Sequence, residues 1–265
     1  MNAPSKADPS RLLELRAQID AIDESVHRLL MQRAAVIDEL IKVKGTAKKG
    51  AAFRPGREAD MMRRLAERHQ GHLPLTAVEH LWREIISTFT ALQAPFDVVV
   101  GAEQDQVAAM EVARFYFGFS VPMILCETPQ DAVAAIEAGG DRLAVLPIGT
   151  LAHPWWQGLE TAQVVARLPF FTVEDRQAAT PALVVAPPLA DPVPPEIALY
   201  AVDGLAQPPE ARDGITVVAE ARYGTDRFSA IVAGADRPED IGLRLGSGLD
   251  IRPIGGYAAP FRPTP

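Results

Sequence analysis

Arg11–Lys44 reads RLLELRAQIDAIDESVHRLLMQRAAVIDELIKVK, and this stretch decides the fold of the first third of the chain. Apolar residues recur at Leu12, Leu15, Ile19, Ile22, Val26 and Leu29, then resume at Val36, Leu40 and Val43. Steps of three and four put them on one heptad-like stripe of a single long helix. Asp8 is placed to cap that helix, with Pro9 in the first turn, where a missing N–H costs nothing. Gly45 is a natural stop. The gap in the stripe falls at position 33, which is an arginine.

A charged side chain in an apolar seam is costly unless it is paired. Two readings of Arg33 stand side by side. It is a structural ion pair, for which Asp38 or Glu58 is available, or its guanidinium faces a polar pocket that receives an anion. Lys44 comes eleven residues later, about three helical turns, so it shares the face of Arg33 with their Cα atoms ~16 Å apart. It is either a cation set against the negative end of the helix or a second contact to the same anion.

Two shorter helices come next. The first runs from about Arg57 to Gln70, with Met61, Met62 and Leu65 as its apolar stripe and Glu58 one turn earlier on that face. Glu58 reads either as a first-turn acid favoured by the helix dipole or as a functional carboxylate. The second begins at a capping box, Thr76-Ala77-Val78-Glu79. Its expected stripe is Val78, Trp82, Ile85, Phe89 and Leu92, with Gln93 beside it and Pro95 closing it. No strand is expected before residue 96.

Beyond Pro95 the period changes. Strands at Asp97–Gly101, Ser120–Cys126 and Arg142–Ile148 alternate with helices near 104–117 and 129–138, the signature of βαβ units and a mainly parallel sheet. After residue 150 the chain is rich in Pro and in short strands, at about 164–170, 182–186, 197–202, 215–220, 227–233 and 249–254, with a short helix after Pro238. The pattern implies two domains, 1–95 and 96–265.

Composition narrows the function classes. The 265 residues carry a net charge of −8. Residues 1–95 hold 15 Lys+Arg against 12 Asp+Glu, a net of +3, and the remainder holds 11 against 22, a net of −11. So acidic a majority disfavours a nucleic-acid or anionic-membrane partner. No apolar run approaches the ~18 residues of a transmembrane helix, and the first ten residues lack the apolar core of a secretion signal. The single Cys126 excludes an internal disulfide framework, so a cytoplasmic location is expected. His69 and His72 have metal-ligand spacing but no evident partners, and neither a metal nor a cofactor is expected.

Taken together, Leu15-Arg16, Ile19, Asp20, Asp23, Leu29, Leu30, Arg33 and Lys42-Val43-Lys44 resemble the first helix of the all-helical bacterial chorismate mutases. Arg54-Pro55-Gly56-Arg57-Glu58 resembles the start of their second helix, and Trp82 to Ser87 with Ala91-Leu92-Gln93 resembles their third. The resemblance implies a three-helix mutase fold that forms an intertwined helical dimer and converts chorismate to prephenate without a cofactor. It implies that Arg33 grips a substrate carboxylate and that Arg16 does so in the partner subunit's site. Lys44 would hold a carboxylate and the ether oxygen, Glu58 would accept from the substrate hydroxyl, and Gln93 would donate to the ether oxygen. Some members carry an Arg and a Glu where this chain has Met61 and Met62, and a Ser where it has Phe89. Arg16 and Arg33 lie seventeen residues apart, ~25 Å on a straight helix, too far for one small ligand to bridge within one chain. A two-fold antiparallel pairing of the long helices would bring them together.

The second half resembles the prephenate dehydratase domain fused to such mutases, a periplasmic-binding-protein-like α/β fold, through Thr128–Gly140 and Leu143–Ile148. Its functional positions depart from that family. Gly101-Ala-Glu-Gln-Asp-Gln106 replaces a Gly-Pro-x-Gly-Thr run, Gly149-Thr150-Leu151 replaces Glu-Asn-Ser, and Thr180-Pro181-Ala182 replaces Thr-Arg-Phe. The expectation is a multidomain α and α/β protein: a mutase with a decayed, non-catalytic dehydratase-like domain and an aromatic amino acid as effector. A working bifunctional enzyme, or a non-enzymatic dimerisation arm on a small-molecule-binding domain, are the alternatives.

Overall fold

The computed structural model describes residues 8–44, 53–190, 192–211, 214–224, 226–234 and 237–263. The chain divides into two compact units, Met1–Ala47 and Lys48–Pro265. The boundary near Pro95 is where helices give way to strands. The compact units part earlier, because the second and third helices pack with Phe170 and Phe171 and the third also reaches the sheet core through Ala91.

The first unit is helix α1, Pro9–Lys44. Asp8 caps it as its position suggests: its Oδ1 accepts from the Ser10 N–H at 3.0 Å. Gly45 lies outside the described residues. The apolar stripe is in water, with Ile19 56%, Ile22 61%, Val26 51% and Leu29 63% exposed. A contiguous exposed stripe of this length marks an interaction surface rather than a finished one.

The second unit opens with α2 (Pro55–Arg68) and α3 (Leu75–Gln93). Then come β1 (Asp97–Gly101), α4 (Gln106–Phe117), β2 (Met123–Cys126), α5 (Pro129–Glu137) and β3 (Arg142–Pro147). The rest is mostly strand: β4 (Gly149–Leu151), β5 (Gln163–Leu168), β6 (Ala182–Ala186), β7 (Ile197–Leu205), β8 (Thr216–Tyr223), β9 (Arg227–Ala233), helix α6 (Pro238–Leu245) and β10 (Asp250–Tyr257). These strands form one sheet in the order β2-β1-β3-β6-β5-β10-β7-β9-β8-β4.

The sheet is not mainly parallel. Only β1–β2, β1–β3, β5–β10 and β4–β8 run parallel. The pairs β3–β6, β5–β6, β7–β10, β7–β9 and β8–β9 are antiparallel. A parallel pair needs a crossover, and α4 and α5 supply one only as far as β3. Beyond it the strands turn back on one another. The order β10-β7-β9-β8, with α6 carrying the chain from β9 to β10, is half of a split β-α-β arrangement.

Trp155 and Trp156, in a short 3-10 turn that periodicity does not reveal, fill the centre of one core at 1% and 0% exposure. Both indoles are satisfied: Trp155 Nε1 donates to the Pro147 carbonyl at 3.0 Å and Trp156 Nε1 to Ser229 Oγ at 2.7 Å.

Helix α3 departs most from expectation. It starts at Leu75 with Pro74 as its cap, and no side chain caps it. Thr76 and Glu79 therefore form no capping box. Its buried face is also rotated from the expected stripe. Val78 and Phe89 are buried as expected, but so are Glu79, Arg83, Ser87 and Thr90, while Leu92 is 61% exposed. Three of these polar residues meet partners inside: Glu79 meets Arg176, Arg83 meets Glu58 and the Tyr116 ring, and Ser87 Oγ donates to the Tyr116 carbonyl.

Candidate functional site

The sequence-predicted site residues divide between the two units. Arg16 is exposed and Arg33 half-buried on α1. Lys44 is the last residue of that helix, and its side chain lies outside the described residues. Glu58 and Gln93 belong to the second unit. Gln93 is half-buried at the end of α3, where its Nε2 donates to the Phe89 carbonyl one turn back at 2.9 Å.

Glu58 sits in the first turn of α2 and is only 8% exposed. Arg83 Nη1 of α3 meets its Oε2 at 3.1 Å. The Tyr116 hydroxyl of α4 donates to the same oxygen at 3.5 Å. The Arg83 guanidinium lies over the Tyr116 ring, 3.9 Å from its centroid, so the cation is met by a carboxylate and a π-face. Burial pushes the Glu58 carboxyl up to about 7, against the opposing pull of Arg83 and Tyr116. The Tyr116 phenol is pushed up by burial as well.

One turn back on α3, Glu79 pairs with Arg176 at 3.2 Å, with side chains 2% and 3% exposed. Arg176 Nη1 donates to the Phe171 carbonyl at 2.6 Å, and its guanidinium stands 4.8 Å from the Phe115 ring centroid. Burial raises the Glu79 carboxyl and lowers the Arg176 guanidinium, each opposed by the partner's charge. Further along, Glu84 accepts from the backbone N–H groups of Phe119 and Ser120 at 2.8 and 3.3 Å. Gly118 lets that carboxylate in: its positive φ of +71° favours glycine at the end of α4, and a Cβ there would collide with Glu84.

Sequence reading missed Glu79, Arg83, Tyr116 and Arg176. A signal existed in the spacing of Glu79, Arg83, Ser87 and Thr90, a polar stripe with helical period. It looks like a solvated face until a second layer supplies partners.

Two of the three runs that depart from the dehydratase resemblance, 101–106 and 149–151, make internal contacts. Gly149–Leu151 pairs with Ala219–Ala221 as β4, and Thr150 Oγ1 donates to a Glu220 carboxylate oxygen at 3.1 Å. Glu103 stands 3.3 Å from His153 Nδ1, and Asp105 caps α4 by accepting from the Ala108 N–H at 3.1 Å. Cys126 is half-buried, and burial together with nearby Asp131 pushes its thiol up, away from the reactive thiolate. Among the described residues no helix is long and apolar enough to cross a membrane.

A long amphipathic helix, two short helices bearing a buried acid and a mixed α/β layer define a helical segment joined to an α/β domain. Residues 15–94 match the family chorismate mutase type II. Curated relatives are bifunctional chorismate mutase/prephenate dehydratases. That of Neisseria gonorrhoeae is 31% identical over 137 residues, covering 52% of this chain and 37% of the relative. That of Pseudomonas aeruginosa is 30% identical over 149 residues, covering 54% and 40%. The chain thus matches about two fifths of the length of these relatives. Stretches of 137 and 149 residues are longer than the 15–94 segment, so the similarity extends past the helices. An X-ray structure of prephenate dehydratase from Streptococcus mutans covers 63% of this chain and 98% of its own at 12% identity, with a TM-score of 0.34, too distant to bear on the fold. Residues 15–94 are thus similar to chorismate mutase type II, and the likeness to the bifunctional relatives reaches beyond that segment.

Proposed function

We propose that this chain is a chorismate mutase working as a cytoplasmic homodimer whose α/β domain has lost dehydratase activity. The match of residues 15–94 to the mutase family, with Arg16, Arg33, Lys44, Glu58 and Gln93 all of the required type, carries this reading. The exposed stripe of α1 supports the dimer, since it offers an apolar seam to a second copy.

The reaction is a pericyclic rearrangement and needs no nucleophile or proton transfer. Arg16 of the partner subunit and Arg33 would hold the enolpyruvyl arm over the ring, which lowers the entropic part of the barrier. Negative charge builds on the ether oxygen as the carbon–oxygen bond breaks, and Lys44 and Gln93 would donate to it. Gln93 would release the Phe89 carbonyl to do so. Arg83 and Tyr116 both contact Oε2 of Glu58, so Oε1 is the oxygen left to accept the substrate hydroxyl.

A bifunctional enzyme is the second reading, favoured by the names of the relatives. The satisfied polar groups of the 101–106 and 149–151 loops weigh against it. Incubating the pure protein with chorismate and identifying the product separates the readings. Prephenate alone supports the proposal, phenylpyruvate the bifunctional enzyme, and unchanged chorismate a non-enzymatic dimerisation arm. An aromatic amino acid as effector would show as a change in that rate.

A further inference from the structure

The end of β5 and the segments after it border an open cleft of about 550 Å³ in the second unit, within the usual size range of small-molecule sites. Arg167, Arg176 and Arg262 line it. None of them belongs to the residue set that the mutase resemblance implies, and the cleft has no part in the reaction proposed above.

The three cations are in different states. Arg176 is neutralised from beneath by Glu79. Arg262 is held by Glu174 at 3.4 Å, with side chains 77% and 89% exposed. A pair so exposed contributes little and is easily exchanged for another anion. Arg167 is half-buried, and its one polar contact among the described residues is neutral: its Nη1 donates to the Tyr257 hydroxyl at 3.3 Å. Tyr257 is 2% exposed, which fixes the guanidinium in place. A partly desolvated guanidinium without a carboxylate is an incomplete arrangement. The remaining wall is apolar and stiff, with Leu168, Pro169, Val173, Pro181 and Pro260. Asp175 and Ala178 flank Arg176 with φ of 53° and 52°, a conformation that residues other than glycine adopt mainly where surrounding structure demands it.

We propose that this cleft binds a small organic acid. Its carboxylate is gripped by Arg167 and by Arg262 in exchange for Glu174, and its apolar body lies against the proline-rich wall. Carboxylate recognition by paired guanidinium groups explains why cations converge here in the acidic part of the chain.

Titration calorimetry of the full chain with benzoate, and with benzamide as its uncharged isostere, tests the assignment. Saturable benzoate binding at least tenfold tighter than benzamide is expected. Arg167→Gln should weaken benzoate at least tenfold, and Glu174→Gln, at an exposed position that folding does not depend on, should tighten it. Arg33→Ala, on α1, should leave it unchanged, which keeps this site distinct from the proposed mutase site. Equal binding of benzoate and benzamide, absence of saturable benzoate binding, no effect of Glu174→Gln, or loss of binding in Arg33→Ala would each overturn the proposal.

Discussion

Arg83 Nη1 lies 3.1 Å from Glu58 Oε2, and these side chains are 1% and 10% exposed. One ion pair thus joins α2 to α3 at the point where the Tyr116 ring of α4 covers the guanidinium at 3.9 Å. The acid that the family resemblance assigns to substrate is therefore also part of the contact between the helices and the α/β layer.

That contact has a measurable cost of removal. Above pH 7, where Glu58 is ionised, Arg83→Leu leaves its carboxylate without a cation in a buried site, and loss of one partner of such a pair costs about 3–5 kcal/mol. Urea unfolding of the second unit should show the drop. The double variant Arg83→Leu/Glu58→Gln should recover part of it, because no uncompensated charge remains.

The Glu58 carboxyl also makes stability depend on pH. Its folded value of about 7 lies above the ordinary 4.5, so between those values the folded chain holds a proton that the unfolded chain has released. Its stabilising contribution is complete below pH 4.5 and is lost as pH rises to about 7. The decline is at most about 1.4 kcal/mol per pH unit for one proton. Glu79 is also raised and titrates in the same sense, so the informative quantity is the difference between the native chain and Glu58→Gln. That difference should change across this window and be flat above it.

If Lys44 donates to the breaking carbon–oxygen bond, Lys44→Ala should lower kcat for chorismate by a factor of about 10²–10³. The assembly should persist, as judged by sedimentation. Near-normal turnover would remove Lys44 from the mechanism.

The stripe of α1 predicts its own disruption. A glutamate at Ile19 or Ile22 puts a charge into the proposed seam, and Ile19→Glu/Ile22→Glu should sediment as a monomer. Its mutase activity should fall with the dimer, since Arg16 would no longer reach a partner's site. A dimer of unaltered mass would place the seam elsewhere.

Local pattern alone determined a good deal about this protein. The long first helix and its Asp8 cap, the start of α5 at Pro129, and the strands β1, β6 and β9 arise from period, caps and punctuation, which are properties of neighbouring residues. The residue types at 16, 33, 44, 58 and 93 were equally legible, because a family's chemistry is written as types at fixed spacing. Which face α3 buries was decided only by tertiary structure. Glu79 and Arg83 belong inside only because Arg176, Glu58 and Tyr116 come from elsewhere in the chain to neutralise and cover them. The antiparallel return of the strands after β3, and the lining of one cleft by both Arg167 and Arg262, have the same origin: they depend on residues far apart in sequence being brought near, which no local period encodes.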